Sequence, residues 1–253
     1  MDTIHFEKEY SMLRAYISKM LSLVSQSFEN AIEALEFFDV SLAKDVINSD
    51  DEIDLLNRQI EEKVYDIIAR YNPIGKDLRY IITMIKFSNN LERIADLSCN
   101  SAEKVIYFEK NNIDYKMIRE VKEMFGIVLK MLHDTFLAFS KKDIELSKKI
   151  WFDDKNLDDL EKLIRNKSKD LDNKESIIYN ILIARDLERI GDHLTNLCEE
   201  IIYIETGKEI KEIINYEKDS NSWGWFVNKK YSEKIFKVSW IWSWRSRKYS
   251  RFS

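Results

Sequence analysis

The sequence has 253 residues with a formal net charge of −5, and 34% of them are charged and 45% hydrophobic. This length suits one large domain or two small ones, and only five glycines and one proline disfavour a fold with many strands and turns. Residues 1–217 carry 31 Lys and Arg against 43 Asp and Glu, which disfavours a general nucleic-acid-binding protein because such proteins need a basic face.

The amino-terminal residues show no basic segment followed by an apolar run, so the sequence predicts no signal peptide. No run of about eighteen apolar residues predicts a membrane span. Cys99 and Cys198 do not occupy equivalent positions of the repeat described below, so no disulfide framework is expected and both are predicted to be small core residues. These features predict a cytoplasmic protein.

Apolar residues recur at steps of three and four, the pattern of amphipathic helices in a bundle. The first predicted helix covers about 5–38, the second follows a cap at Asp39 or Ser41, and the third covers about 76–110. The same cycle then returns in the second half. The predicted buried stripes are Leu13, Ile17, Met20, Val24, Ala31 and Phe38; Ile53, Leu56, Ile60, Val64 and Ile67; Val121, Phe125, Val128, Leu132 and Phe139; Leu157, Leu160 and Ile164; and Leu187, Ile190, Leu194, Leu197, Ile201 and Ile204.

Two similar segments, 90–100 (NLERIADLSCN) and 186–196 (DLERIGDHLTN), lie ninety-six residues apart and indicate an internal duplication. We call them the signature segments. The predicted fold is therefore all-α, with two tandem three-helix bundles over 1–112 and 113–217. Residues 218–253 are predicted to form an atypical basic tail rich in tryptophan.

Each signature segment carries two carboxylates four residues apart, which a helix places on one face. In each half, a second acidic pair lies at the start of the preceding predicted helix. Because successive helices in a bundle run antiparallel, the two pairs are expected to lie at the same height along the bundle. The sequence thus predicts two carboxylate clusters. The first carboxylate cluster is Asp50, Asp54, Glu92 and Asp96. The second carboxylate cluster is Asp154, Asp158, Glu188 and Asp192.

Oxygen ligands of this kind suit Mg²⁺, Mn²⁺, Ca²⁺ or iron. The Glu-x-x-His motif of catalytic di-iron bundles does not occur in the sequence. His193 directly follows Asp192 and is predicted to point about 100° off the acidic face, which favours an exposed or supporting histidine over a ligand. In so acidic a chain, solvated helix faces are the alternative to metal sites.

These signature segments, together with Pro73-Ile-Gly-Lys-Asp77-Leu-Arg79 before the first of them, resemble the PhoU family of phosphate-uptake regulators over about residues 5–215. The resemblance implies a protein without known catalytic activity, which couples a phosphate ABC transporter ATPase to a sensor histidine kinase and represses signalling when phosphate is abundant. Membrane association would be peripheral, through these partners, and a homodimer is left open.

The resemblance also implies metal ions, either iron or Mg²⁺ and Mn²⁺, at both carboxylate clusters. Asn100 and Asn196, one turn beyond the signature aspartates, would add amide oxygens. A metal-dependent phosphohydrolase that uses the carboxylates is the alternative function, and a purely structural helical scaffold is a third. No nucleotide-binding loop and no Ser or Cys with a placed base supports an enzyme.

The sequence departs from the family pattern in two places. The second half replaces the Pro-x-x-x-Asp-Leu-Arg element by residues 173–179, an asymmetry that leaves the assignment unchanged. The tail at 218–253 holds five of the six tryptophans among basic residues. It is interpreted either as a segment that rests on a membrane surface or on the transporter, or as an atypical end without a selected role.

Overall fold

The computed structural model describes residues 3–167 and 174–220, and these residues form helices and no strand. This confirms the predicted all-α class. Residues 1–209 make one compact unit, and residues 210–253 make a second, of which one helix is described. The helices are α1 (Thr3–Phe37), α2 (Val40–Tyr71), α3 (Gly75–Asn111), α4 (Arg119–Lys141), α5 (Ile144–Asp153), α6 (Lys155–Lys167), α7 (Lys174–Thr206) and α8 (Ile210–Ser220).

The predicted tail begins inside α8 and lies outside the described residues from position 221 onward. Residues 168–173, which include the start of the segment that replaces the Pro-x-x-x-Asp-Leu-Arg element, are also outside them. No helix in the described ranges has the length and apolar character that crossing a lipid bilayer requires.

Local capping explains where the helices of the first half begin and end. The Asp39 carboxylate accepts hydrogen bonds from the backbone N–H groups of Ser41 and Leu42, both at 3.0 Å, so Asp39 caps α2 as the sequence predicts. Asn72 ends α2 and Asn112 ends α3, each in the left-handed conformation that asparagine tolerates. The helix α3 therefore lies close to its predicted bounds of about 76–110.

The predicted apolar stripes form the core of the first compact unit. All but two of the residues named above are buried, and they belong to one continuous hydrophobic cluster. Leu160 is only partly buried. The prediction for Phe38 is wrong: this residue follows the end of α1 with φ of 54°, and it is 43% exposed because the chain leaves the helical path there.

The fifth predicted helix is two helices, α5 and α6, which meet at Asp154. The Asp143 carboxylate caps α5 by accepting from the backbone N–H of Leu146 at 2.9 Å. The Asp154 carbonyl then accepts from the N–H groups of Leu157 at 2.8 Å and Asp158 at 3.3 Å, which starts α6. The two predicted ligands Asp154 and Asp158 thus lie at a helix junction and on the new helix, not together in one continuous helix.

The two signature segments lie on α3 and α7, which pack against each other as antiparallel helices. Lys86 of α3 pairs with Glu200 of α7 at 3.4 Å, and Lys104 further along α3 pairs with Asp186 earlier on α7 at 2.9 Å. Arg79 at the start of α3 donates from Nε to the carbonyl of Ile204, near the end of α7, at 3.2 Å. This arrangement brings the repeated segments of the two halves side by side.

Candidate metal centre

The four carboxylates of the first cluster lie on α2 and α3, and their charges act on one another. The pKa of Asp50 is raised by burial and then by the negative charges of Asp54 and Asp96. The pKa of Glu92 is raised by burial, then by Asp96, Asp54 and Asp50, while Arg93 opposes the rise. These mutual effects show that the four carboxylates lie within electrostatic reach of one another.

One oxygen of this cluster is left without a donor. Asp50 Oδ1 is buried and has no hydrogen-bond partner. The nearby Cys99 thiol opposes the rise in the pKa of Asp50, but this thiol donates to the backbone carbonyl of Val46 at 3.9 Å. Arg93 lies 3.4 Å from Glu92 and 2.9 Å from Asp96 and partly neutralises them. A buried anionic oxygen without a partner is unfavourable unless a cation binds it.

The second carboxylate cluster forms where α7 passes the junction of α5 and α6. Burial, followed by the charges of Asp192, Asp158 and Glu188, raises the pKa of Asp154 to about 7. The pKa of Glu188 is likewise raised by burial and then by Asp192 and Asp158. Asp154 Oδ1 is buried and has no hydrogen-bond partner, so each cluster contains one buried carboxylate oxygen without a donor.

Gly191, inside the second signature segment, allows α7 to approach this junction closely. A Cβ atom at this position would lie 2.6 Å from Asp154 Oδ1 and 2.6 Å from Leu157 Cδ1. The equivalent residue of the first half is Ala95, which is fully buried. The glycine therefore permits a close helix contact that the sequence comparison of the two segments did not predict.

The predicted amide ligands occupy more exposed positions. Asn100 and Asn196 are both exposed, and Asn196 donates from Nδ2 to Asn90 Oδ1 at 3.3 Å. His193 is half-buried, and its Nδ1 lies 2.9 Å from the same Asn90 oxygen. Burial, followed by the charge of Arg189, lowers the pKa of His193.

Asn90 was missed as a site residue by sequence reasoning. It is the first residue of its signature segment, where the second segment has Asp186, and this difference between the repeats was the available signal. Trp151 was missed as well. It lies close to the α5–α6 junction and donates from Nε1 to Glu199 of α7 at 3.0 Å.

Within the described ranges, no three His, Cys, Asp or Glu side chains already stand in a coordination arrangement. The grouped carboxylates and the unpartnered oxygens of Asp50 and Asp154 nevertheless suit a hard cation in their chemistry, since such ions take carboxylate oxygens as ligands. The residues able to hold it are the four members of each cluster.

The fold and these two sites define a class of protein: a duplicated helical bundle whose repeated signature helices each contribute to an acidic site. The PhoU domain model matches residues 17–105 and 121–201, one stretch in each half. The chain therefore belongs to the PhoU family, as the signature segments predict.

Individual relatives support this assignment. The chain is 52% identical over 219 residues to the phosphate-specific transport system accessory protein PhoU homolog 1 of Thermotoga maritima, covering 84% of this chain and 94% of the relative. It is 30% identical to the phosphate-specific transport system accessory protein PhoU of Escherichia coli, covering 85% and 90%.

Solved structures agree with the fold. The crystal structure of PhoU from Pseudomonas aeruginosa matches with a TM-score of 0.76 at 31% identity, covering 80% of this chain and all of that one. The phosphate transport system regulatory protein PhoU from Streptococcus pneumoniae matches with a TM-score of 0.73 at 27% identity, covering 81% and 99%.

Proposed function

We propose that this protein is an accessory and regulatory protein of phosphate transport. The proposal draws on family membership and on relatives named as accessory proteins of the phosphate-specific transport system. Family membership extends over both halves, so the role is proposed for the bundle as a whole.

We further propose that the two carboxylate clusters bind metal ions. The observation that carries this is the unpartnered buried oxygen in each cluster, at Asp50 and Asp154. Burial, followed by repulsion from the neighbouring carboxylates, raises the pKa of both of these carboxyl groups. A divalent cation removes this repulsion and occupies the free oxygens, whereas a solvated acidic face would leave them exposed to water.

The test of metal binding is elemental analysis of protein purified without chelator. Asp50→Asn with Glu92→Gln should empty the first cluster, and Asp154→Asn with Glu188→Gln should empty the second. Each double variant should lose only its own share of bound metal. Asp159→Asn, at an exposed acid on α6, is the matched control. Finding no bound iron, Mg²⁺ or Mn²⁺ in wild-type protein would contradict the proposal.

The proposed mechanism is regulation by contact. The protein would hold the transporter ATPase and a sensor histidine kinase in a signalling-off arrangement when phosphate is abundant. Long helices present extended faces that recognise partners by groove packing and by charge complementarity. Because residues 1–217 are strongly acidic, basic patches on these partners are the complementary surfaces. Bound metal would set the local charge of the contact face.

Deletion of the gene tests this role. The expected result is raised expression of the transporter and of secreted phosphatase in cells grown with ample phosphate. Complementation with wild type should restore repression, Asp192→Asn should restore it only in part, and Asp159→Asn should restore it fully. Unchanged repression in the deletion strain, together with no binding of purified protein to either partner, would contradict the adaptor role.

One observation favours the alternative phosphohydrolase. The pKa of Asp154 is raised to about 7, and a carboxyl group that exchanges a proton near neutral pH beside grouped carboxylates resembles a general acid. Turnover of p-nitrophenyl phosphate by metal-loaded protein, lost in Asp154→Asn, would establish this function. Absence of turnover with each of Mg²⁺, Mn²⁺ and Fe²⁺ would reject it.

A further inference from the structure

Helix α1 contacts two other helices at the end of the bundle where α1 and α3 begin and α4 ends. Tyr10 of α1 stacks on Tyr80 of α3, with ring centroids 4.4 Å apart. Arg14 lies one helical turn after Tyr10, on the same face of α1, and donates from Nη2 to the Ser140 carbonyl near the end of α4 at 2.8 Å. Tyr10 and Arg14 therefore tie α1 to both α3 and α4.

The end of α7 closes this set of contacts into a ring. Arg79 of α3 donates from Nε to the Ile204 carbonyl at 3.2 Å. The next residue of α7, Glu205, pairs with Lys76 of α3 at 2.7 Å and with Lys142, just after α4, at 3.7 Å. The seven ionisable residues of this ring are called the end cluster: Tyr10, Arg14, Lys76, Arg79, Tyr80, Lys142 and Glu205.

The end cluster has more cations than carboxylates, although residues 1–217 carry 31 Lys and Arg against 43 Asp and Glu. Its four cations face Glu205 and the exposed Asp77, whose charge also acts on Tyr10. Arg14 and Arg79 are part-buried and pair with no carboxylate of the described residues. Each donates one hydrogen bond to a backbone carbonyl, whereas a guanidinium has five N–H donors. The remaining donors are available to an anionic ligand.

Two buried polar atoms of the end cluster lack hydrogen-bond partners. They are the hydroxyl oxygen of Tyr80, a residue that is 4% exposed, and Oε1 of Glu205. Burial and then Tyr10 raise the pKa of Tyr80, the charge of Arg14 lowers it, and that of Glu205 raises it. The Tyr80 phenol therefore stays protonated and is a donor, whereas a carboxylate oxygen only accepts. An unused donor and an unused acceptor thus belong to the same cationic cluster.

Hydrogen phosphate has the groups that match these side chains. Its oxygens accept hydrogen bonds from phenols, and arginine and lysine bind them strongly through charge-assisted hydrogen bonds. Its P–OH group donates, which suits a carboxylate oxygen without a donor. Sulfate has a similar shape but no hydrogen to donate near neutral pH, so the Glu205 carboxylate would repel it.

We propose that the end cluster binds a protonated phosphate group, either that of inorganic phosphate or that of a phosphate monoester. Arg14, Arg79 and Tyr80 donate to its oxygens, and Glu205 Oε1 accepts the hydrogen of its P–OH group. The two lysines of the cluster are 53% and 46% exposed and add positive charge where solvent reaches it. The inference goes beyond the proposed regulatory role and holds whether or not the carboxylate clusters bind metal.

Calorimetric titration of wild-type protein with phosphate and with sulfate, near neutral pH, tests the selectivity without a substitution. Chelator in the buffer prevents phosphate from binding through metal ions at the carboxylate clusters. Phosphate should bind at least about 10-fold more tightly than sulfate, because sulfate leaves Glu205 Oε1 without a donor and beside a second anion. Equal affinity for the two ions would overturn the inference.

Variants of the two arginines test the donors. Arg14→Gln and Arg79→Gln should each weaken phosphate binding by at least about 10-fold, because each removes a charged donor. Arg58→Gln, at an exposed arginine of α2, is the matched control and should bind phosphate like wild type. Phosphate binding that both Arg14→Gln and Arg79→Gln leave unchanged would place the ion elsewhere and overturn the inference.

Two further variants test the unpartnered atoms. Tyr80→Phe removes only the hydroxyl group and should weaken phosphate binding by about 3-fold to 10-fold. Glu205→Gln keeps the shape but supplies an N–H donor, so sulfate binding should strengthen by at least about 10-fold and the preference for phosphate should shrink. An unchanged preference in Glu205→Gln would contradict the role of Glu205 as the selective acceptor.

Vesicles distinguish free phosphate from a lipid headgroup as the source of the phosphate group. Phosphatidic acid carries a phosphate monoester, whereas phosphatidylglycerol carries a diester without a P–OH group. Sedimentation with phosphatidic acid vesicles only, lost in Arg79→Gln, would assign the site to a headgroup. Phosphate binding in the titration without sedimentation would assign it to the free ion. Neither phosphate binding nor preferential sedimentation with phosphatidic acid would overturn the inference and leave the regulatory role standing.

Discussion

Gly191 and Asp154 approach so closely that a methyl group on Gly191 would lie 2.6 Å from the Asp154 carboxylate oxygen. The oxygen concerned, Oδ1, is also the one that lacks a hydrogen-bond partner. The contact between α7 and the α5–α6 junction therefore determines where the most perturbed carboxylate of the second cluster lies. Because a glycine makes this approach possible, the cluster depends on the backbone as well as on its acids.

Gly191→Ala should lower stability and weaken metal binding at the second cluster. Alanine favours the helix by about 1 kcal/mol, but forcing a methyl group into the contact costs about 1–3 kcal/mol, so a net loss of about 1 kcal/mol is expected. Urea unfolding measures it. The clash with Oδ1 disappears in the Gly191→Ala, Asp154→Ala double variant, which should be more stable than additivity predicts. Strict additivity of the two substitutions would contradict this explanation.

Stability of the metal-free protein should fall as pH rises from about 4 to about 7. The pKa of Asp154 is raised to about 7 in the folded protein and is near 3.9 in unfolded chains, so the folded state binds more protons across this range and loses its advantage as the carboxyl ionises. The side chain is partly exposed, which reduces the effect to about 1 kcal/mol, or about 2–4 °C in melting temperature.

Thermal unfolding at pH 5 and pH 8, with chelator, measures this dependence. Other members of the clusters have pKa values raised in the same direction, so the comparison with Asp154→Asn isolates the contribution of Asp154. This variant should show a smaller loss between the two pH values, whereas Asp159→Asn should behave like wild type. An equal loss in Asp154→Asn and wild type would show that Asp154 does not contribute.

The ion pair between Lys104 and Asp186 should hold the two halves together. Its atoms lie 2.9 Å apart and the side chains are only 16% and 9% exposed, so removing Asp186 leaves a cation largely shielded from water. We expect Asp186→Ala to cost about 2–3 kcal/mol, below the range for fully buried pairs. The exposed pair Lys19–Glu52 is the comparison, and breaking it should cost at most about 1 kcal/mol.

A double-mutant cycle with Lys104→Ala separates the pair from other effects of the substitution. A coupling energy no larger than that of Lys19 with Glu52 would contradict the special role of the Lys104–Asp186 pair.

The Asn180 side chain should hold in place the linker between the halves, residues 113–118. Its side chain is 1% exposed; Oδ1 accepts from the backbone N–H of Ile118 at 3.1 Å and Nδ2 donates to the Lys116 carbonyl at 2.9 Å. Asn180→Ala leaves both linker groups without these partners and should cost about 2–3 kcal/mol. Hydrogen exchange should increase at residues 113–118. Asn111→Ala, at an exposed asparagine, should leave exchange there unchanged.

The sequence by itself determined the helical class, the duplication and which carboxylates share a helix face in each signature segment. Helical periodicity is a local property that places Glu92 with Asp96, and Glu188 with Asp192, on one face wherever the helices lie. The caps at Asp39, Asn72 and Asn112 are equally local, because each depends on the conformation of a few neighbouring residues.

Only the tertiary structure determines which residues of the two halves contact each other. The helix junction at Asp154 and the left-handed backbone of Phe38, which leaves that residue exposed, interrupt apolar stripes that the sequence shows as continuous. The hydrogen bond from His193 to Asn90 joins residues 103 positions apart, and the periodicity of one helix cannot specify which side chain of another helix meets it. That contact requires the antiparallel packing of α3 against α7.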